Sequence, residues 1–216
     1  KSGRGLLASP TRAERSDSLP NTTRRGDQED LKMKLNPKKT SLIVVDMQND
    51  FANEKGSLYV PSVIRVIPNI KKLIKKARES KIPIFYTKDW HRPDWIEFKK
   101  WPVHCVQGSW GAEIIEELKP KENDYCIQKQ TYDAFYGTFL ESYLKELKID
   151  TLFISGVVSN ICVLETASDA ARRGYYVVIP TDAVASLDES GQKILIHQME
   201  SLYGAKITIT EKIMFK

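Results

Sequence analysis

Cys162 lies in the segment Leu152-Phe-Ile-Ser-Gly-Val-Val-Ser-Asn-Ile-Cys162-Val-Leu-Glu-Thr-Ala, and that context suits a nucleophile. The apolar run Leu152 to Ile154 reads as a buried strand, Gly156 breaks it, and Ser159 or Asn160 can cap the helix that follows. The thiol then falls in the first helical turn, where unpaired backbone N–H groups and the positive dipole end favour thiolate. A strand–turn–helix also presents its residues at the carboxyl edge of a sheet. A small buried residue packing strand against helix fits the same segment, so the local pattern leaves both roles open.

Four other positions carry chemistry that complements a thiol. Asp46, in Asp46-Met-Gln-Asn-Asp-Phe51, can take a thiol proton and later deliver it to a leaving amine; a loop or helix cap is its plainer role. Lys129, in Gln128-Lys-Gln-Thr-Tyr-Asp-Ala-Phe135, would keep Asp46 ionised and stabilise a thiolate. As one lysine among many it also fits a solvated surface. Asp89 and His91 stand close together, with His104 thirteen residues beyond His91, and the chain has only 3 histidines. Two imidazoles and a carboxylate suit Zn²⁺, or Fe²⁺ or Mn²⁺ in an octahedral site, with positions left for water and substrate. Ordinary polar loop residues would satisfy the same spacing. His197, in a late amphipathic stretch, reads as a surface or satisfied core residue.

The elements that must position these groups alternate along the chain. Strands are predicted at Ser41–Val45, Pro83–Thr87, Tyr125–Ile127, Leu152–Ser155, Tyr176–Ile179 and Lys206–Ile209. Helices are predicted over Val63–Ser80, near Ala112–Leu118, over Leu140–Leu147, from Cys162 onward, and over Ser190–Leu202. Strands separated by helices specify an α/β fold: a single doubly wound domain with a parallel six-stranded sheet and helices on both faces. Ligands in such sheets bind beyond the carboxyl ends of the strands. Asp46, Asp89 with His91, Lys129 and Cys162 follow four successive strands, so one crevice is expected to hold them all.

Composition narrows the class. The chain has 216 residues, 41% of them hydrophobic, enough for one α/β core. Three cysteines make no disulfide framework, so a cytoplasmic setting is the expectation. No apolar run reaches membrane-span length. A net charge of +5 spread over scattered lysines gives no support for a nucleic-acid partner. Residues 1–32 hold no aromatic residue and read as a disordered N-terminal extension or tail; residues 33–216 form the expected domain.

Five blocks, in order, resemble the isochorismatase-like cysteine hydrolase superfamily, and within it the nicotinamidases. They are Ile43-Val-Val-Asp46-Met-Gln-Asn-Asp-Phe51, Thr87-Lys-Asp-Trp-His91, Trp101-Pro-Val-His-Cys-Val-Gln-Gly108 with Gly111-Ala-Glu113, Lys129 with Tyr132 and Phe135, and Gly156 through Ala167. The resemblance implies a catalytic triad of Asp46, Lys129 and Cys162, and a cis peptide at Val157–Val158. It further implies an oxyanion hole from the amides of Val158 and Cys162, a metal on Asp89, His91 and His104, and aromatic contacts from Phe51, Trp101 and Tyr132. The expected activity is metal-assisted hydrolysis of a small amide through a cysteine thioester, in a homo-oligomer (dimer or tetramer) with no nucleic acid or membrane partner. An isochorismatase proper has no use for a thiol nucleophile.

Two departures point elsewhere in the superfamily. Only Gln130 and Thr131 separate Lys129 from Tyr132, and Asp133 stands where nicotinamidases carry Ser. This compact block looks more like the ureidoacrylate and N-carbamoylsarcosine amidases. Asp133 is also expected to raise the pKa of Asp46 by like-charge repulsion. The complete Asp89, His91, His104 set pulls back toward the nicotinamidases.

Overall fold

The computed structural model describes residues 33–215; the expectation for residues 1–32 lies outside the described residues. In chain order the elements are β1 (Met33–Leu35), β2 (Thr40–Val45), a one-turn α1 (Asn49–Ala52), α2 (Ile67–Glu79), β3 (Ile84–Asp89), β4 (Tyr125–Lys129), α3 (Leu140–Glu146), β5 (Thr151–Val157), α4 (Leu164–Arg172), β6 (Tyr176–Pro180), β7 (Val184–Ala185), α5 (Glu189–Ser201), β8 (Lys206–Thr208) and β9 (Ile213–Phe215).

The main sheet runs β4-β3-β2-β5-β6-β8, with every pairing parallel. All six predicted strands are present in it, and β7 makes a seventh by pairing with the second half of β5. A separate two-stranded parallel sheet joins β1 to β9. Both faces of the main sheet are covered, which explains why all six residues of β2 are buried. Leu42 and Val44 belong to the core under α2, with Ile70, Leu73 and Ala77. Ile43 and Val45 belong to the opposite core, under α3, α4 and α5, with Leu144, Ala167 and Leu195.

Two local differences from the sequence reading have clear causes. The helix predicted over Val63–Ser80 is a 3₁₀ turn at Pro61–Arg65 followed by α2, because Pro68 sits in the first turn of α2 and fixes its start there. The helix predicted near Ala112–Leu118 is instead two 3₁₀ turns, Trp110–Ala112 and Glu116–Leu118. Backbone bonds from Asn49 N to Glu113 O and from Ile115 N to Met47 O take the groups a helix would use.

Strand order reverses between β2 and β5. Elements after β2 build outward one way through β3 and β4, and those after β5 build the other way, so the switch point lies between Asp46 and the segment leaving β5. Gly156 permits the close approach there. Its φ is +109°, and a Cβ at this position would lie 2.1 Å from the Val45 carbonyl oxygen.

Candidate active site

Four strand ends and one helix start converge at this switch point. Asp46 follows β2 with φ of 49°, a left-handed conformation that aspartate tolerates better than most residues. Thr87 holds it on both sides: the Thr87 hydroxyl donates to Asp46 Oδ1 at 2.5 Å and accepts from the Asp46 amide at 3.2 Å. Asp89 and Lys129 end neighbouring strands and are register partners. Cys162 sits in a π-helical turn, Ser159–Val163, that runs into α4. The Val157–Val158 peptide that precedes this turn is cis, as the family resemblance implies.

Lys129 is the hub. Only 1% exposed, its ammonium lies 2.8 Å from Asp46 Oδ2, donates to Asp89 Oδ1, and reaches the Thr131 carbonyl at 3.0 Å. The surface role open to it in the sequence is excluded. Burial works against its charge, but the two carboxylates win and raise its pKa well above the ordinary lysine value. Asp89 likewise pays for burial, yet Lys129 and His91 bring its carboxyl down to about 2.

Asp46 moves the other way. Burial, seconded by the Asp89 charge, raises its pKa despite Lys129. Asp46 Oδ2 makes no well-angled hydrogen bond, and carboxylate oxygens of Asp46 and Asp89 lie within 4.8 Å of Cys162 Sγ. A base of raised affinity therefore faces the thiol with a lone pair open.

Two sequence expectations need correction. The helix start was expected to favour thiolate at Cys162. Instead burial, with Asp46 and Asp89 adding to it, pushes the thiol well above the ordinary cysteine range, and Lys129 only partly opposes this. The resting group is a thiol that needs a base at hand. Asp133 was expected to act on Asp46. Its carboxylate instead accepts from the Phe135 amide at 2.9 Å and faces Asp169 and Arg173; the like charge that raises Asp46 is that of Asp89.

Asp89, His91 and His104 come together as the sequence suggests. All three are buried, with ligand atoms within 4.8 Å of one another. His91 Nε2 and His104 Nε2 lie 3.6 and 3.9 Å from Asp89 Oδ2. His104 Nδ1 is 2.7 Å from the Pro102 carbonyl, which can only accept, so its Nε2 carries the lone pair. Both ring nitrogens of His91 are buried without a hydrogen-bond partner. Such orphaned imidazole atoms beside a carboxylate fit a divalent cation, which would satisfy one nitrogen and offset the second buried carboxylate.

Several supporting residues went unassigned in the sequence. Glu97 places Oε2 3.9 Å from His91 Nε2 and meets the Tyr132 hydroxyl. No spacing rule picked it out of the charged loop. Gln48 is fully buried and clamps Asp89 from both sides, donating to its carbonyl at 2.8 Å and accepting from its amide at 2.8 Å. Asp50 accepts from the Cys105 amide at 2.7 Å and so anchors the loop bearing His104. His197 is exposed, far from any role in this cluster.

Above the cluster lies a cavity of about 40 Å³, lined by Phe51, Leu58, Asp89, Glu97, Trp101, His104, Tyr132, Val158, Ile161, Cys162 and Leu187. By volume it has room for about three waters, the space of a small ligand. Trp101 Nε1 donates to the Tyr132 hydroxyl at 2.9 Å, tying two walls together. Chemically, the arrangement sets a thiol, its base and a candidate Lewis-acid site around one small pocket.

Residues 40–212 match the isochorismatase domain model. The chain belongs to the isochorismatase family. It is 27% identical over 215 residues to a nicotinamidase of Saccharomyces cerevisiae, covering 80% of this chain and 99% of that protein. The structure of N-carbamoylsarcosine amidase from Thermoplasma acidophilum superposes with a TM-score of 0.74 at 35% identity, covering 80% of this chain and 97% of the other. A pyrazinamidase of Pyrococcus horikoshii in complex with zinc superposes with a TM-score of 0.75 at 34% identity, covering 79% and 99%. Family and relatives make the chain an amidohydrolase, acting on C–N amide bonds. No helix among the described residues is long and apolar enough to cross a membrane.

Proposed function

We propose that this amidohydrolase is a nicotinamidase, converting nicotinamide and water to nicotinate and ammonia. The observation that carries the reading is the charge of the pocket. Its lining holds three aromatic rings and two carboxylates, Asp89 and Glu97, with no Lys or Arg among the described lining residues. A ureidoacrylate or N-carbamoylsarcosine substrate would bring its own carboxylate beside Asp89 and Glu97, where no Lys or Arg of the described lining meets it and only a metal on Asp89, His91 and His104 would. A neutral heteroaromatic amide has no such penalty, and its ring fits between Phe51, Trp101 and Tyr132. The compact Lys129–Tyr132 spacing supports the carbamoyl reading, but it changes the loop and adds no cation to the pocket.

In the proposed mechanism the Cys162 thiol loses its proton to Asp46 as sulfur attacks the carboxamide carbon. The amides of Val158 and Cys162 receive the tetrahedral oxyanion. Asp46 returns the proton to the departing ammonia, then takes one from the water that hydrolyses the thioester and hands it to the Cys162 sulfur as that leaves. Lys129 fixes Asp46 and Asp89 and balances the charge that Asp46 loses and regains. Asp89, His91 and His104 would hold a divalent metal, zinc by their donor set, which when bound supplies a Lewis acid for the ring nitrogen.

The test is ammonia release from nicotinamide, N-carbamoylsarcosine and ureidoacrylate by zinc-loaded protein, with Cys162→Ala as the blank. A kcat/KM for nicotinamide well above the two acids is expected. Turnover of the acids alone would overturn the nicotinamidase reading and keep the cysteine chemistry.

A further inference from the structure

The walls of the cavity divide according to the strands that deliver them. Asp89, Glu97, His104 and Tyr132 end or follow β3 and β4, on one side of the switch point, and bring its carboxylates and its imidazole. Val158, Ile161 and Leu187 follow β5 and β7 on the other side, and apart from the nucleophile that half of the lining is aliphatic. Leu58, from the loop after α1, adds a further alkyl group. Leu187 lines the cavity and is still 48% exposed, whereas Val158 is buried, so Leu187 stands at the mouth. Its backbone is pinned on both sides. The Ser62 hydroxyl donates to the Ser186 carbonyl at 2.6 Å, and the Asp188 carboxylate accepts from the Gly191 amide at 2.9 Å, capping α5. A half-exposed side chain on a fixed frame is where a pocket can discriminate without refolding.

We propose that Leu187 is a specificity-determining residue of this pocket: with Leu58 and Ile161 it forms an apolar collar that takes the end of the amide farthest from Asp89 and His104, and it rejects substrates charged at that end. The inference rests on the proposed function and deepens it, since it names the position at which a neutral ring is told from an acid. With the carboxamide carbon at Cys162 and the ring nitrogen toward Asp89, His91 and His104, the remaining edge of the ring is all C–H. That edge meets the collar without giving up a hydrogen bond. An acid that places its reacting carbonyl at Cys162 and its carboxylate against the collar exchanges water for alkyl groups. The collar is also where one substitution supplies the missing cation. Leu187→Arg would keep its methylene stem on the apolar wall and hold its guanidinium at the solvent-facing mouth, within reach of such a carboxylate.

Zinc-loaded Cys162→Ala, which lacks the nucleophile, allows binding to be read without turnover. It is titrated by calorimetry with nicotinamide, N-carbamoylsarcosine and ureidoacrylate, alone and with Leu187→Arg, Leu187→Lys or Leu187→Met added. In Leu187→Arg the affinity for the acids relative to nicotinamide should rise about tenfold to a hundredfold, the range of a hydrogen bond to a charged group. Leu187→Lys should move the ratio in the same direction. Leu187→Met, which conserves volume and carries no charge, should move it by less than about threefold. With Cys162 restored, kcat/KM should shift the same way. An unchanged ratio in Leu187→Arg and Leu187→Lys, or acids that stay unbound, in proteins whose zinc content and thermal unfolding match the parent, would overturn the collar. An equal rise in Leu187→Met would overturn it too. The functional reading is tested separately, by which amide the wild type hydrolyses: turnover of the acids alone would sink that reading, while the collar stands or falls on the shift.

Discussion

Replacing Lys129 by Met removes the charge around which the site is built, and its cost follows from the geometry. In the wild type one ammonium serves two carboxylates, Asp46 and Asp89, both at most 3% exposed. The Met side chain fills most of the volume but leaves two buried negative charges close together. Removing one partner of a buried ion pair costs about 3–5 kcal/mol, and the stranded pair should place Lys129→Met toward the upper end. The loss also has a sign in pH. Without Lys129 both carboxyls acquire folded pKa values above their unfolded value near 3.8, so their contribution is intact below that value and is lost as pH rises through the raised ones. In the wild type Asp89, held at about 2, contributes in the opposite sense: its stabilisation is present above the unfolded value and lost as pH falls toward 2. The difference between the two proteins should therefore widen from pH 4 to pH 7. Urea denaturation of the metal-free proteins, followed by far-UV circular dichroism across that range, measures it. A loss below about 1 kcal/mol at pH 7, the size of an exposed pair, or a loss independent of pH would refute the buried-hub reasoning.

Other expectations follow from the same geometry. Cys162 should react slowly with iodoacetamide at pH 7 and faster as pH climbs beyond the ordinary thiol range, because burial and two carboxylates keep it protonated; fast alkylation at neutral pH would contradict that. Trp101→Phe removes the donor to Tyr132, and the hydroxyl, left with Glu97 alone, loses its tie to the opposite wall, which should raise KM about fivefold to tenfold with little change in kcat. Gly156→Ala should cost at least about 3 kcal/mol in thermal or urea unfolding, since the new methyl meets Val45 backbone at a φ that L side chains avoid. His91→Ala should lose metal on dialysis, read by elemental analysis, while Cys162→Ala retains it.

The sequence made the sheet legible because both of its faces are covered. The runs of Val, Ile and Leu at 42–45 and 152–154 can be buried throughout only in a parallel sheet. The site was legible as a coincidence of polar residues at strand ends. No single one of them is decisive: Lys129 looks like any other lysine until its register with Asp89 across β3 and β4 puts it underground. The missed features are those that depend on distant chain. β1 and β9 are three residues each and exist only by pairing across the whole domain. Glu97 enters the pocket through a short turn with no periodicity to mark it. The thiolate expected at Cys162 fails because a helix start acts locally, whereas the opposing burial and the Asp89 charge come from other strands. Asp133 was legible as an anomaly, but the turn it closes on the Phe135 amide was not.

The most direct measurement is an acid quench of the zinc-loaded protein during turnover of nicotinamide, followed by peptide mass spectrometry. A nicotinoyl group on the peptide bearing Cys162, absent when N-carbamoylsarcosine replaces nicotinamide and absent in Cys162→Ala, is the expected result. Ammonia released from nicotinamide at an undiminished rate by Cys162→Ala would contradict the account.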